Sequence, residues 1–402
     1  ATAGNYRNGQ QLLRMMQARS LDGWKQAMRM RGRTSSNFTY ADADGNIFYV
    51  WNASVPELPR PSGGDTAAVD AATSSDVWQR LIPWDSLPHL QNPPGGYLQN
   101  ENDPPYFANL NAVMDAGAFP PNLPAPQFRL RSQLAVDLIG HGDTLGLQEV
   151  MRRKFSTRML LADRVKDDLV RAVRAAHPSD EVAQAIDLVA GWDNTASRDA
   201  RGAMLFKTWW DRYVATGDSA RGTPASVGFP ATAASLFAEP WRMDAPASTP
   251  RGLADPGRAA AAFVWAVAEM KTRWGAWDVP WGEVHRARIG DVDVPVGGCH
   301  GMYGCFRVLW FDPAEDGKLV VRGGDGWIIA VQFTQPVPQA YSVLAYGESI
   351  EPDSPWFDDQ LALFADGRMK PVRLSEQDVR AHAVRTYRPG RPAAALPDGG
   401  RR

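Results

Sequence analysis

Side-chain amides and carboxylates crowd the stretch Pro93-Pro94-Gly95-Gly96-Tyr97-Leu98-Gln99-Asn100-Glu101-Asn102-Asp103-Pro104-Pro105, between a Pro-Pro-Gly-Gly turn and a second Pro-Pro pair. Proline fixes φ and glycine admits positive φ, so such a loop is stiff at both ends and bent where it must bend. A neutral amide held in this way can aim an N–H at an oxygen that becomes negative during acyl transfer, which is the work of an oxyanion hole. Asn102 is the candidate donor. The competing reading is that Asn, Asp and Gly serve here only as turn formers.

Other chemistries are poorly supplied. The six histidines, His89, His141, His177, His285, His300 and His382, are scattered and lack the spacing of a zinc hydrolase. No Gly-x-Ser-x-Gly elbow marks a classical serine hydrolase. Gly323-Gly324-Asp325-Gly326 has no following Lys or helix that would make a phosphate loop, and it reads as a β-turn. Paired carboxylates for glycoside cleavage are a spatial matter. With 15 Trp and many Pro-Gly loops, an extracellular carbohydrate-binding or glycoside-cleaving protein is the alternative class, to be recognised by two carboxyls facing a Trp-lined cleft.

The elements that must position these residues follow from periodicity. Leu12, Met15 and Met16, then Leu21, Trp24 and Met28, recur at helical spacing over residues 8–31, with Ser20 placed to cap the second half. Residues 37–42 and 47–52 flank Ala43-Asp44-Gly45-Asn46 and predict a hairpin. Residues 56–76 read as a long surface loop, and Trp78, Leu81, Ile82, Trp84 and Leu87 as core or as an acyl pocket wall. A helix begins near Arg131, with Leu134 and Leu138 on one face. Further helices are predicted around Leu160 to Val173, over 181–190 with a stop at Gly191, over 198–214 and over 258–274. Residues 216–257 lack periodicity between the last two. Short strands are predicted at 306–311, 318–322, 327–333 and 339–344, then helices at 356–365 and 375–381, and a disordered tail from Pro389.

Composition sets the outer limits. A chain of 402 residues, 44% hydrophobic and 22% charged, is ordinary globular chemistry, long enough for two or three domains or one large unit. The 43 basic and 45 acidic side chains give a net charge of −2, which does not steer it to nucleic acid or an anionic membrane. The longest apolar runs, such as 259–268, fall short of the roughly 20 residues of a bilayer span. The start, Ala1-Thr2-Ala3-Gly4, has no signal-peptide pattern and no initiator Met, and reads as a chain cut from something larger. Cys299 and Cys305 could close one small loop in an oxidising compartment or remain two thiols.

Taken in order, Tyr40-Ala41-Asp42-Ala43-Asp44-Gly45-Asn46-Ile47-Phe48-Tyr49, the 93–105 loop, Leu130-Arg131-Ser132-Gln133, Tyr341-Ser342-Val343-Leu344-Ala345-Tyr346-Gly347-Glu348-Ser349, and Asp359-Gln360 with Gly367-Arg368-Met369-Lys370-Pro371 resemble the β-subunit of the penicillin acylase family of N-terminal-nucleophile hydrolases, nearest its acyl-homoserine-lactone and aculeacin acylases. The resemblance spans most of the chain and implies an α+β fold, the αββα four-layer sandwich of these hydrolases, incomplete in this fragment. On that reading residues 1–402 are the C-terminal portion of the subunit. Residues 33–110 and 295–345 contribute core strands, 131–275 a mostly helical insertion, and 389–402 the tail.

The implied reaction is hydrolysis of the amide of an N-acylated small molecule: an acyl-homoserine lactone, a β-lactam or a lipopeptide side chain. The family's nucleophile is an N-terminal Ser with its own amine as base. Residue 1 here is Ala, so the nucleophile is expected upstream, with the α-subunit and the first part of the β-subunit as missing partners. Ser36-Asn37 mimics the subunit's Ser-Asn start but falls at the strand before the hairpin, and is rejected as nucleophile. Asn102 matches the family's oxyanion-hole Asn, and Arg131 the Arg that orients it. Some relatives hold calcium through a carbonyl at the position of Pro56, but their acidic partner has no clear counterpart around Asp115. No metal and no cofactor are therefore expected. Export to the periplasm or medium is implied.

Overall fold

The computed structural model describes residues 7–58, 70–140, 144–217, 235–386 and 388, which fall into two compact units. One comprises the described residues up to 140 together with 241–249, the other the described residues from 144 to 240 and from 250 onward. The expected tail from 389 and the middle of the 56–76 loop lie outside the described residues.

In the first unit, α1 (Asn8–Gln17) and α2 (Leu21–Met28) form the predicted helical pair, and the Ser20 hydroxyl accepts the Gly23 N–H at the α2 start. The hairpin pairs β1 (Ser35–Ala41) with β2 (Ile47–Ala53), and β3 (His89–Gln91) adds to the other edge of β2. As the central strand, β2 is buried on both faces. Phe48 and Val50 enter a cluster with Trp24, Met28 and Trp84, while Tyr49 enters a second with Tyr106, Phe107 and Phe128. Complete burial of such a side chain stabilises by roughly 1.5–3 kcal/mol, so these clusters hold the strand that the candidate loop leans on. Ile82, Trp84 and Leu87 are thus core. The predicted helix after the loop is α3 (Leu130–Ile139).

The second unit is built around helices α4 (Leu147–Lys154), α5 (Leu160–Ala175), α6 (Asp180–Gly191) and α7 (Gly202–Gly217). A short pair, β4 (Phe237–Glu239) and β5 (Arg251–Leu253), precedes α8 (Pro256–Trp274), which Asp255 caps. Trp209, Trp210 and Tyr213 of α7 are fully buried, and Trp209 Nε1 donates to Ala259 O at 3.0 Å. After the single turn α9 (Trp281–Val284) come β6 (His285–Ile289), β7 (Val292–Pro295), β8 (Leu309–Pro313) and β9 (Leu319–Gly324). They form a sheet of order β7-β6-β9-β8, in which β6 and β9 run parallel. A second sheet contains β10 (Trp327–Gln332), β11 (Gln339–Leu344) and the short β12 (Lys370–Pro371); α10 (Leu361–Ala365) lies before β12 and α11 (Glu376–Ala381) after it.

Several sequence expectations need correction. The helix predicted from Arg198 starts at Gly202, because the carbonyls of Arg198 and Ala200 accept from Gly282 N and Trp281 N instead of propagating a helix. Helix α6 includes Gly191, and its cap is Trp192. The strand predicted over 306–311 begins at Leu309, since Cys299 and Cys305 are joined in a disulfide and the Arg307 N–H donates to Ser156 O. Gly323 and Gly324 do not turn: they end β9 opposite Trp310 and Leu309, and Asp325-Gly326 carries the chain to the other sheet. The helix predicted from Trp356 is confined to α10, because Trp356 O accepts the Ser349 N–H and Ser354 O the Phe357 N–H, which makes turns of that segment. The β6–β7 hairpin and the β4–β5 pair have no counterpart in the sequence expectations, being only three to five residues long per strand.

Candidate active site

The 93–105 loop is held from inside by amides. Gly95 (φ +83°) and Gly96 (φ +65°) take the left-handed conformation that the Pro-Pro-Gly-Gly pattern anticipates. Buried Asn109 donates from Nδ2 to Pro94 O at 3.1 Å and Tyr97 O at 2.9 Å, while Gln99 N donates to Ala108 O at 2.9 Å. Beyond the loop, the turn Pro105–Phe107 drives Tyr106 and Phe107 into the cluster around Tyr49.

At the tip, Asn102 is exposed and has φ +71°. Asparagine tolerates this region, and here Asn100 supports it, its Oδ1 accepting the Asn102 N–H at 2.8 Å. Asn100 Nδ2 donates in turn to Asp103 O at 3.0 Å, and Asn37 Nδ2 reaches the same carbonyl at 3.4 Å. Asn37 accepts the Tyr49 hydroxyl, so the tip is tied through β1 to β2.

The side chain of Asn102 has a defined polarity. Arg131 Nη2 donates to Asn102 Oδ1 at 2.7 Å. A guanidinium has donors only, so the amide must turn its oxygen to Arg131 and its NH2 away. Among the described residues no acceptor engages Asn102 Nδ2. The amide can therefore offer an N–H to an incoming oxygen while its own carbonyl is fixed, and the cation on that carbonyl polarises the N–H further.

Helix α3 brings Arg131 here, and Arg129 stands at its N-cap. Two cations at the positive end of a helix are disfavoured by its dipole. Asp103 offsets this: buried, it accepts the Arg129 N–H on Oδ2 at 2.8 Å and pairs through Oδ1 with Arg129 Nη1 at 3.2 Å. Arg129 Nη1 also reaches Asn102 O at 3.4 Å. Burial raises the Asp103 carboxyl above its ordinary value, opposed by the Arg129 N–H and by the charges of Arg129 and Arg131. The sequence gives no role in the site to Asp103 and Asn100, though both lie in the loop, to Asn37, met only in the rejected Ser36-Asn37 pair, or to Arg129. The available signals were the Asn-x-Asn-Asp run and a second Arg two positions before Arg131.

The raised carboxyl has a consequence for stability. The folded chain holds this proton more tightly than the unfolded chain, so the contribution is complete below the unfolded value and is lost as pH rises through the folded one. Denaturant unfolding of the wild type and Asp103→Asn, from about pH 3.8 upward, should show the wild type losing stability relative to the variant. A relative gain with rising pH would contradict this account of the buried carboxylate.

At the position discussed for calcium, Pro56 O accepts from Asn122 Nδ2 at 3.3 Å, and the Asp115 side chain accepts the Gly117 N–H.

Comparison with known proteins places the chain as a whole. The family model for penicillin amidase matches residues 1–381. The chain belongs to the penicillin amidase family. It is 26% identical over 402 residues to the acyl-homoserine lactone acylase PvdQ of Pseudomonas fluorescens, covering 91% of this chain and 48% of that protein. Aculeacin-A acylase of Actinoplanes utahensis is 27% identical over 444 residues, 96% of this chain and 51% of that protein. Among solved structures, thermostable penicillin G acylase from Alcaligenes faecalis superimposes with a TM-score of 0.59 over 95% of this chain and 73% of that one, at 18% identity. This supports the mixed α+β fold of that acylase. The chain spans about half the length of the curated relatives it matches.

Proposed function

We propose that the protein carrying this chain of the penicillin amidase family hydrolyses the amide of N-acylated small molecules, with Asn102 donating to the oxyanion and Arg131 as its positioning residue. The observation that carries this reading is the Arg131–Asn102 bond, which leaves Nδ2 as a free, oriented donor. The nucleophile, an N-terminal Ser with its own amine as base, lies upstream of residue 1. Its Oγ attacks the scissile carbonyl carbon, the π electrons move to the carbonyl oxygen, and the Oγ proton passes to the amine. Asn102 Nδ2–H meets the oxygen as its charge develops. Collapse of the intermediate expels the substrate amine, which takes the proton, and water then releases the acyl group.

Candidate substrates are acyl-homoserine lactones, β-lactams with an acyl side chain and lipopeptides; relatives bear the names acyl-homoserine lactone acylase, penicillin G acylase and aculeacin-A acylase. The four-layer αββα sandwich is completed, on this reading, by strands from the upstream part of the protein. Export to the periplasm or medium accords with the Cys299–Cys305 disulfide, which persists in oxidising compartments.

The test compares the whole protein with the purified 402-residue chain on a panel of N-acyl amides, following release of the free amine. The whole protein should turn over at least one of them and the chain alone none, because the chain carries a donor for the oxyanion but no nucleophile. Turnover by the chain alone, or none by the whole protein, would overturn the proposal.

A further inference from the structure

Three of the four polar atoms of Asn102 are engaged. Its N–H donates to Asn100 Oδ1 at 2.8 Å, its carbonyl accepts from Arg129 Nη1 at 3.4 Å, and its side-chain oxygen accepts from Arg131 Nη2 at 2.7 Å. Nδ2 is the fourth. Arg131 turns the amide, but the direction in which the side chain leaves the backbone needs a cause of its own.

The backbone at Asn102 lies in the left-handed region, φ +71°, where glycine would rest without help. Glycine has no amide to offer an oxyanion. A residue that keeps the amide must therefore take a conformation that L side chains disfavour, and the surrounding structure must hold it there. Asn100 is placed to do so with one side chain.

The Asn100 amide uses both its ends. Oδ1 takes the Asn102 N–H, closing the turn that Asn makes with the backbone two residues on, and Nδ2 donates to Asp103 O at 3.0 Å. A backbone N–H requires an acceptor and a carbonyl a donor, so the two bonds agree on one orientation of the group. One bond falls on the peptide that enters Asn102, the other on the peptide that leaves Asp103. The chain between them is pinned at both ends. Asn37 Nδ2 approaches the same Asp103 carbonyl at 3.4 Å, a longer second hold on one end. At the other end, Asn100 is the partner of the Asn102 N–H among the described residues. Aspartate would lack the donor, and serine could make only the first bond, more weakly.

We propose that Asn100 is a positioning residue for the oxyanion donor, setting the backbone of Asn102 while Arg131 turns its amide. The inference rests on the acylase reading of Asn102. Asn100 acts through Asn102 and not on the substrate. The Asn-x-Asn spacing of the loop then has a physical meaning: the second asparagine carries the donor, and the first holds it in a conformation it would otherwise leave.

The test is a double-mutant cycle in the whole protein, on an N-acyl amide that it turns over. Asn100→Ala should lower kcat about 10- to 10²-fold with KM little changed, since a displaced donor misses charge that appears only in the transition state. Asn100→Ser should lose less, because its hydroxyl can still accept the Asn102 N–H, and it carries the same test if the alanine variant does not fold. In the Asn102→Gly background, which has neither the donor nor the strain, Asn100→Ala should lower kcat no further. Thermal unfolding confirms that each variant is folded. Unchanged kcat in a folded Asn100→Ala protein, a loss confined to KM, or an equal further loss in the Asn102→Gly background would each overturn the proposal. A crystal structure of the Asn100→Ala protein reads the same question without turnover: Asn102 should leave the left-handed region or release Arg131, and retention of both would overturn the proposal. A wild type that hydrolyses no N-acyl amide would remove the acylase reading and the proposal with it. An inactive Asn102→Gly protein beside an unimpaired Asn100→Ala protein would remove the proposal alone.

Discussion

Asn102→Ala in the whole protein is expected to lower kcat by about 10²- to 10³-fold, roughly 2.7–4 kcal/mol, the weight of one lost oxyanion donor. KM should change little, since the donor acts on charge that appears only in the transition state. The backbone supplies a control. Asn102 has φ +71°, where alanine is strained and glycine is not. If the alanine defect came from a distorted loop, Asn102→Gly would restore activity. The expected result is that glycine is as inactive as alanine, because both lack the N–H. A glycine variant with near-normal kcat would make Asn102 a turn residue and nothing more.

Arg131→Lys should be nearly as damaging as Arg131→Ala. The present geometry explains why charge alone is insufficient. The guanidinium is a rigid planar group whose Nη2 meets Asn102 Oδ1 at 2.7 Å, so the oxygen of the amide is held toward Arg131 and Nδ2 is turned away from it. An ammonium on a flexible stem preserves the charge but leaves the amide free to rotate. The loss should appear in kcat more than in KM. Asp103 and Arg129 should keep the loop itself in place, since Asp103 accepts the Arg129 N–H independently of Arg131. Steady-state kinetics of the two variants, with thermal unfolding to confirm the fold, decides the matter. Full activity in the lysine variant would mean that Arg131 acts as charge and not as a positioning fork.

The parts of this site that were legible in the sequence are those with local causes. Gly95 and Gly96 are at positive φ because the turn needs it, and Asn102 and Arg131 lie in motifs whose order along the chain resembles the family. Local periodicity also sufficed for α2, whose Trp24 and Met28 fall on one face, and for the β1–β2 hairpin. What the sequence hid depends on distant partners. The role of Asp103 rests on a backbone N–H 26 residues away, and that of Asn37 on a carbonyl 66 residues away, which no local pattern encodes. The late start of α7 has the same origin, since Trp281 and Gly282 capture the carbonyls that would have extended it. Gly323-Gly324 misled because a glycine pair signals a turn, whereas here Gly323 makes room for the Trp310 ring.

The most direct test of the central claim is a structure of the whole protein with a tetrahedral phosphonate analogue of an N-acyl substrate bound. Asn102 Nδ2 should lie roughly 2.7–3.1 Å from the anionic oxygen, with Asn102 Oδ1 still held by Arg131. An anionic oxygen met by other donors, with Asn102 turned away or released from Arg131, would contradict the account.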